Sequence, residues 1–410
     1  MADHQYGARR RSVVKGALAA GVSAPALWTL LSACGTKTSS SATVKIPSPT
    51  TPVTWPMSKV NEAIAAGQKP KAGTTLRIYN YADYLSPRVL KDFEEKYGVN
   101  IRLSTFNDAD EALTKVASKQ LKFDLYFPSY DQIAKMVTAK LIRPLNHSYI
   151  PNIANVWPEF TDPWYDGKWN YTVPYTVYTT GIGWRADKVN IDVASMPNPY
   201  DVFWDTELAR KIAVIDDWHT AMAMVALRGG ITDINTTKPK DIAKIQALML
   251  DMQQKTNPKV TITMYNDLPA GQLNLCQMWS GDVVNAQYHL PKGVSTDVLA
   301  YWFPPDGKGM VDNDLMVILS QGQNPVLAHL FVNFMLDTKN ALKNFGYIGY
   351  QPPQTSLTPE QTVSDGYVPA NLTTAVVRKE WFGAGYRLLE LPPVADAAWH
   401  QVWQRFKAGA

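Results

Sequence analysis

Apolar residues along this chain recur at two spacings, short β-prone runs and stretches of helical period, and from residue 75 the two alternate. The opening unit, residues 76–93, reads LRIYNYADYLSPRVLKDF. Residues 76–80 predict a strand. Ser86 at the cap position, Pro87 at the first helical position, Leu90, Phe93 and Tyr97 at helical spacing and Gly98 as a stop predict a helix. Between them lies Tyr81-Ala82-Asp83-Tyr84, two aromatics flanking a carboxylate. In an open α/β sheet ligands bind at such a strand-to-helix turn. Ring faces attract ammonium groups, so the turn suits a cation with an apolar body. The bland alternative is that the tyrosines cap the sheet and the carboxylate is solvated.

The pattern continues with a strand over 100–105, a helix over 110–119, a buried-type strand over 123–127 and a helix carrying Ile133, Met136 and Val137. Residues 173–184 form a β-prone run long enough to leave one lobe and enter another. A second α/β unit follows: strand 211–215 ending at Asp216-Asp217, a helix near 220–228 and a periodic helix over 239–255. Strands are predicted over 260–264, 273–278 and 298–303, with a helix between the last two. A third β-prone run, 315–319, precedes an apolar helix over 326–336. The chain thus makes one lobe, crosses to a second and crosses back, which leaves a cleft as the default binding site.

Residues 1–33 fall outside this pattern. Arg10-Arg11-Ser12-Val13-Val14-Lys15, an apolar run over 16–31 and Leu31-Ser32-Ala33-Cys34 read as a twin-arginine signal ending in a lipobox, with Cys34 as the lipidated anchor. Residues 34–73, rich in Ser, Thr, Pro and Lys, are expected to be a flexible tether, with a helical turn near 61–66. The only other cysteine, Cys276, lies in an apolar run and is expected to be buried and inert. Hydrophobic residues at 46% and charged residues at 19% describe a globular chain, and 410 residues favour two domains. The signal segment carries Arg9, Arg10, Arg11 and Lys15 against Asp3, +3 of the formal +4, so the folded part is near neutral and nucleic-acid binding loses support.

Several stretches together resemble the spermidine/putrescine branch of the bacterial extracytoplasmic solute-binding proteins of ABC transporters. They are Tyr79-Asn80-Tyr81-Ala82-Asp83-Tyr84, Phe123-Asp124-Leu125 with Pro128-Ser129, Val173-Pro174-Tyr175, Asp216-Asp217, Met278-Trp279-Ser280-Gly281 and Gly349-Tyr350, in the family's order. The resemblance implies a two-lobed periplasmic-binding-protein fold of type II. Each lobe is a mixed sheet flanked by helices, the lobes being 74–176 with 316–355 and 177–315 with 356–410, joined by hinge crossings. It implies a lipid-anchored, extracytoplasmic monomer that needs no cofactor or metal and passes a small cationic solute, a polyamine, to a membrane permease. Carried over by position, Tyr81 stands where the family has tryptophan, Tyr84 and Tyr350 keep aromatics, Ser129 keeps a polar contact, Asp217 a carboxylate and Trp279 a ring wall. The departures are Thr220 in place of a second acid, Val311-Asp312-Asn313-Asp314 in place of a tryptophan–aspartate pair, and Phe382 in place of a polar residue. Asp314 is taken as the retained acid, although the strand pattern leaves Asp312 open. Asp83, Asp131 and Asp282 are further sources of charge.

Two other readings compete. The same receptor fold could serve a non-polyamine solute, such as an amino-acid derivative or an aromatic amine. A secreted carbohydrate-active enzyme is the rival from another class, with 13 tryptophans suited to sugar stacking. Its support is thin: the six histidines form no zinc pair, and neither a Gly-x-Ser-x-Gly elbow nor a phosphate loop occurs. His219, two residues after Asp217, is expected to be structural or a minor contact.

Overall fold

Strand and helix alternate along the computed structural model, which describes residues 45–59 and 61–409. The expected signal segment 1–33, the anchor Cys34 and the first part of the tether lie outside the described residues.

Strand β1 (Thr75–Tyr81) buries Leu76 and Ile78 and pairs in parallel with β2 (Asn100–Phe106) and β3 (Leu125–Tyr126). The helix Pro87–Tyr97 links β1 to β2 and ends at Gly98 in the left-handed region, φ 62°. Ser86 holds the cap position without a side-chain capping bond; its N–H goes to Asn344 Oδ1 at 2.9 Å instead. Strand β4 (Thr172–Arg185) is buried along nearly its whole length. Beyond it, β5 (Ile212–Ile215) pairs in parallel with β6 (Lys259–Thr261) and β7 (Leu275–Trp279), while β8 (Leu299–Trp302) pairs with β4. Strand β9 (Met310–Ile318) runs back antiparallel to β4 and reaches β3.

The sheet order is therefore β2-β1-β3-β9-β4-β7-β5-β6, with β8 beside β4. Two α/β lobes sit at its ends, and the antiparallel β4–β9 ribbon joins them. One core gathers around Tyr79, Phe106, Tyr126 and Ile133, a second around Ile212, Met249 and Trp399. A third apolar layer, containing Phe93, Phe331 and Met278, extends through both. Cys276 is fully buried within it.

Five expectations need correction. The strand expected over 260–264 stops at Thr261, because Met264 opens the short helix Met264–Asp267. The strand over 123–127 shrinks to two residues, since Asp124 turns its carboxylate onto the N–H groups of Arg77 and Asn324, both at 2.8 Å. Strand β9 starts at Met310 rather than Leu315, so the acidic stretch lies on the strand. The tether does not hang loose over its described part. Val53 exchanges backbone bonds with Trp164 and Gly167, both at 2.8 Å, and buried Trp55 donates to the Tyr165 carbonyl at 2.8 Å. Nor do residues 61–66 coil: the carbonyls of Glu62, Ile64 and Ala65 accept from Arg143, Asn146 and Tyr149 side chains, which leaves them unavailable to a helical turn.

Candidate functional site

The cleft opens where the C-terminal ends of β1, β3, β5 and β7 meet the β4–β9 ribbon. That is the carboxyl edge at which open α/β sheets take ligands. All ten cleft residues read from the sequence line it: Tyr81, Asp83 and Tyr84 after β1, Ser129 and Asp131 after β3, Asp217 and Thr220 after β5, Trp279 at the tip of β7, Asp314 on β9, and Tyr350.

Register explains the ribbon's part. Thr176 pairs with Asp314 and Tyr178 with Asp312, so all four share one face, while Asn313 turns away to Tyr165. Both acids therefore reach the cleft. Asp314 accepts from Tyr84 at 2.8 Å and from Tyr178 at 3.2 Å, and Asp312 accepts from Tyr130. The rings form an edge-to-face cage: Tyr84–Tyr350 at 4.9 Å, Tyr178–Tyr350 at 5.8 Å and Tyr178–Trp279 at 6.3 Å. Tyr350 follows Gly349, whose φ of 77° turns the chain, and its ring lies so close over Gly281 that a methyl group there would displace it.

Tyr350 donates to Asp282 Oδ1 at 2.7 Å, while the other Asp282 oxygen is buried without a partner. Burial pushes both Asp282 and Asp314 up to about 7, against the tyrosine bonds that pull them down. Asp312 and Asp217 are pushed up to about 6 for the same first reason. Asp217 also caps the helix Trp218–Arg228, accepting from Thr220 N at 2.8 Å. Its structural and site-facing roles coexist. Ser129 donates to Asp131, and burial raises the Asp131 carboxyl.

Further bonds across the cleft run from Tyr265 to Asp83 at 3.3 Å and from Trp218 to Asp110 at 3.3 Å. His219 lines the wall, stacked on Trp218 at 4.7 Å, and burial drives its imidazole down to about 3, so it is neutral. Phe382 lies elsewhere, between Trp157, Phe160 and Arg387, so its departure from the family pattern removes nothing from this wall. Tyr178 and Tyr130 were not foreseen as site residues; Asp282 and Asp312 were foreseen only as candidate acids. Eight aspartates line the cleft, and among the described lining residues there is no lysine or arginine. Among the described residues no cluster suited to a metal ion occurs.

Comparison with known proteins accords with this geometry. The family model described as bacterial extracellular solute-binding protein matches residues 88–370. The putrescine-binding periplasmic protein PotF of Escherichia coli is 25% identical over 366 residues, 85% of this chain and 95% of its own. The spermidine/putrescine-binding periplasmic protein of Salmonella typhimurium is 27% identical over 347 residues, covering 82% and 92%. A solved structure from Listeria monocytogenes, described as a putative spermidine/putrescine ABC transporter, superposes with a TM-score of 0.70 at 24% identity, covering 81% of this chain and 98% of that one.

Proposed function

The chain belongs to the bacterial extracellular solute-binding proteins, and from that premise we propose that it captures a di- or polyamine between its lobes and hands it to an ABC permease. One observation carries the ligand class: a cleft walled by eight aspartates and a tyrosine–tryptophan cage, with no cationic side chain among its described lining residues. Buried acids without counter-ions are costly, and a ligand's ammonium groups would supply the missing charge. The rings would cover its methylenes and attract its charge. The names of the relatives, putrescine- and spermidine-binding proteins, point the same way.

In this reading Tyr84, Tyr178, Trp279 and Tyr350 enclose the alkyl chain. Asp217 holds one ammonium, and Asp282 and Asp314 hold the other. Asp83, Ser129, Asp131, Thr220 and Tyr81 complete the wall. The lobes divide at 74–176 with 316–355 and 177–315 with 356–410, and binding rather than turnover is the activity. The protein is placed outside the cytoplasm, anchored through Cys34 after twin-arginine export; acyl mass on Cys34 in membrane-extracted protein is the check. Calorimetric titration against putrescine, cadaverine, spermidine, amino acids and sugars tests the ligand class. A saturable response to amines alone is expected, and binding only to an uncharged solute would refute the reading.

The double duty of Asp217 gives a sharper result. Asparagine caps a helix about as well as aspartate, so Asp217→Asn should leave the melting temperature nearly unchanged. It removes the charge, so amine affinity should fall by about 2–5 kcal/mol, the range for truncating one partner of an enclosed pair. Equal affinity in calorimetry would remove Asp217 from the site.

A further inference from the structure

Behind the ribbon, on the face of β9 turned from the cleft, lies a second cavity of 620 Å³. That volume is within the range of small-molecule sites, which favour junctions between parts of a fold. Asn313 forms its floor, turned away by the same alternation that turns Asp312 and Asp314 into the cleft. One wall comes from the stretch before β4, with Phe160, Trp164 and Tyr165. The other comes from the C-terminal part of the chain, with Phe382 and Arg387. Tyr165 stacks at 5.4 Å on the cleft residue Tyr130, so cavity and cleft stand back to back.

The charges of this cavity are sorted by depth. Glu159, Asp162, Lys379 and Glu380 are exposed at its rim, where water screens them. Glu159 pairs with Lys379 at 3.0 Å, and Asp162 accepts from Lys168 N at 2.8 Å. Among the described lining residues Arg387 is the one buried charge, 8% exposed. Its guanidinium lies 4.0 Å over the Phe382 ring and donates to two main-chain carbonyls, those of Val311 and Phe382. Among the described residues no carboxylate pairs with it. Asp312 faces the cleft and takes the Tyr130 hydroxyl instead. An enclosed cation is costly without an anionic partner. Two carbonyls leave part of the guanidinium fork unused, and that fork matches a carboxylate in shape.

We propose that this cavity is a second ligand site, which takes a small monocarboxylate with an aromatic body. The carboxylate meets Arg387, and the ring lies among Phe160, Trp164 and Phe382, where edge-to-face contacts are available. A second negative charge on the ligand would meet the acidic rim, so one carboxylate is the limit. The proposal goes beyond the amine-binding reading and does not depend on it, because cleft and cavity lie on opposite faces of the ribbon.

The test is calorimetric titration of the full-length chain in detergent with phenylacetate, and with 2-phenylethanol as the uncharged control. It is run on the wild type with and without saturating putrescine, on Gly383→Leu and on Arg387→Lys. Gly383 lines the cavity, and a Cβ there meets nothing within 4 Å, so a leucine fills the space without backbone strain. Saturable binding of phenylacetate is expected, undiminished by putrescine. Gly383→Leu should melt near the wild-type temperature yet bind phenylacetate at least about tenfold more weakly. Arg387→Lys, which keeps the charge and loses the fork, should also weaken it by about tenfold. Should Arg387→Lys not fold, the control decides: 2-phenylethanol bound as tightly as phenylacetate overturns the carboxylate's part. No saturable response to phenylacetate below about 10 mM, displacement by putrescine, or unchanged binding in Gly383→Leu overturns the site. A wild type that binds phenylacetate and ignores putrescine supports this site and counts against the amine-binding reading alone.

Discussion

Replacing Asp314 by asparagine is expected to cost about 2–5 kcal/mol of amine affinity, roughly thirtyfold to several thousandfold in the dissociation constant. Asp314 lies on the ribbon between the lobes, 7% exposed, with hydroxyls from Tyr84 and Tyr178 on its two oxygens. The variant keeps the side chain's shape and one acceptor oxygen, so the cage should persist. Stability should move the other way. Burial holds this carboxyl near 7, which means that ionising it in the empty cleft opposes folding. Removing the charge relieves that cost, and the ligand-free variant should melt at or above the wild-type temperature at pH 8. Weaker binding together with equal or greater stability separates a site carboxylate from a structural one. Calorimetry and thermal melting on the same samples check both signs, and a variant that binds as before would dismiss Asp314 as a ligand group.

The second large effect is on pH. Asp282 and Asp314 titrate near 7 in the folded protein against an ordinary value near 4 in the unfolded chain. Between those values the folded state holds more protons, so stability falls as pH rises through the window and recovers as pH falls. Buried Glu390, pushed up to about 8, acts in the same sense. His219 and His329, lowered by burial to about 3 and about 4, act in the opposite sense only where unfolded histidine begins to protonate, below about 6.5. From pH 8 down to 6.5, then, the ligand-free protein should gain stability, by a few kcal/mol in total. With a saturating diamine the trend should flatten, because the ammonium groups hold the carboxylates ionised. Binding near pH 7 should accordingly release protons, measurable in buffers of different ionisation enthalpy, and affinity should fall as the solution is acidified. Affinity independent of pH from 8 to 6 would contradict the burial of these carboxylates in the site.

The signals that revealed part of this site, and hid the rest, have physical causes. The turn from Tyr81 to Tyr84 was legible because Pro87 and Gly98 bound its helix and leave the aromatics at the strand's end. Asp217 was legible as a ligand group, since it ends a buried strand and precedes a helix; its capping bond to Thr220 came from the structure. Asp312 and Asp314 were ambiguous because aspartate and asparagine are poor strand formers. Strand β9 tolerates them only because tyrosine hydroxyls from other elements meet each acid. Tyr178 was hidden for a different reason. Strand β4 is covered on both faces, so its residues show no polar alternation to mark which side meets the cleft. The segment around Trp55 read as tether because composition reports core-forming capacity, whereas this stretch is held by backbone hydrogen bonds and a single indole.

By its hydrogen bonds that N-terminal segment is fastened to one part of the molecule only. Its described contacts, with Lys140, Arg143, Asn146, Tyr149, Tyr165 and Tyr171, all belong to the stretch between β3 and β4. The hydrogen bonds of residues 53–68 thus fall on one wing of the molecule, and Trp55 and Val53 add apolar packing to the core that also takes in Leu315 and Val317 of β9. The stretch from β5 to β8 receives none of these hydrogen bonds.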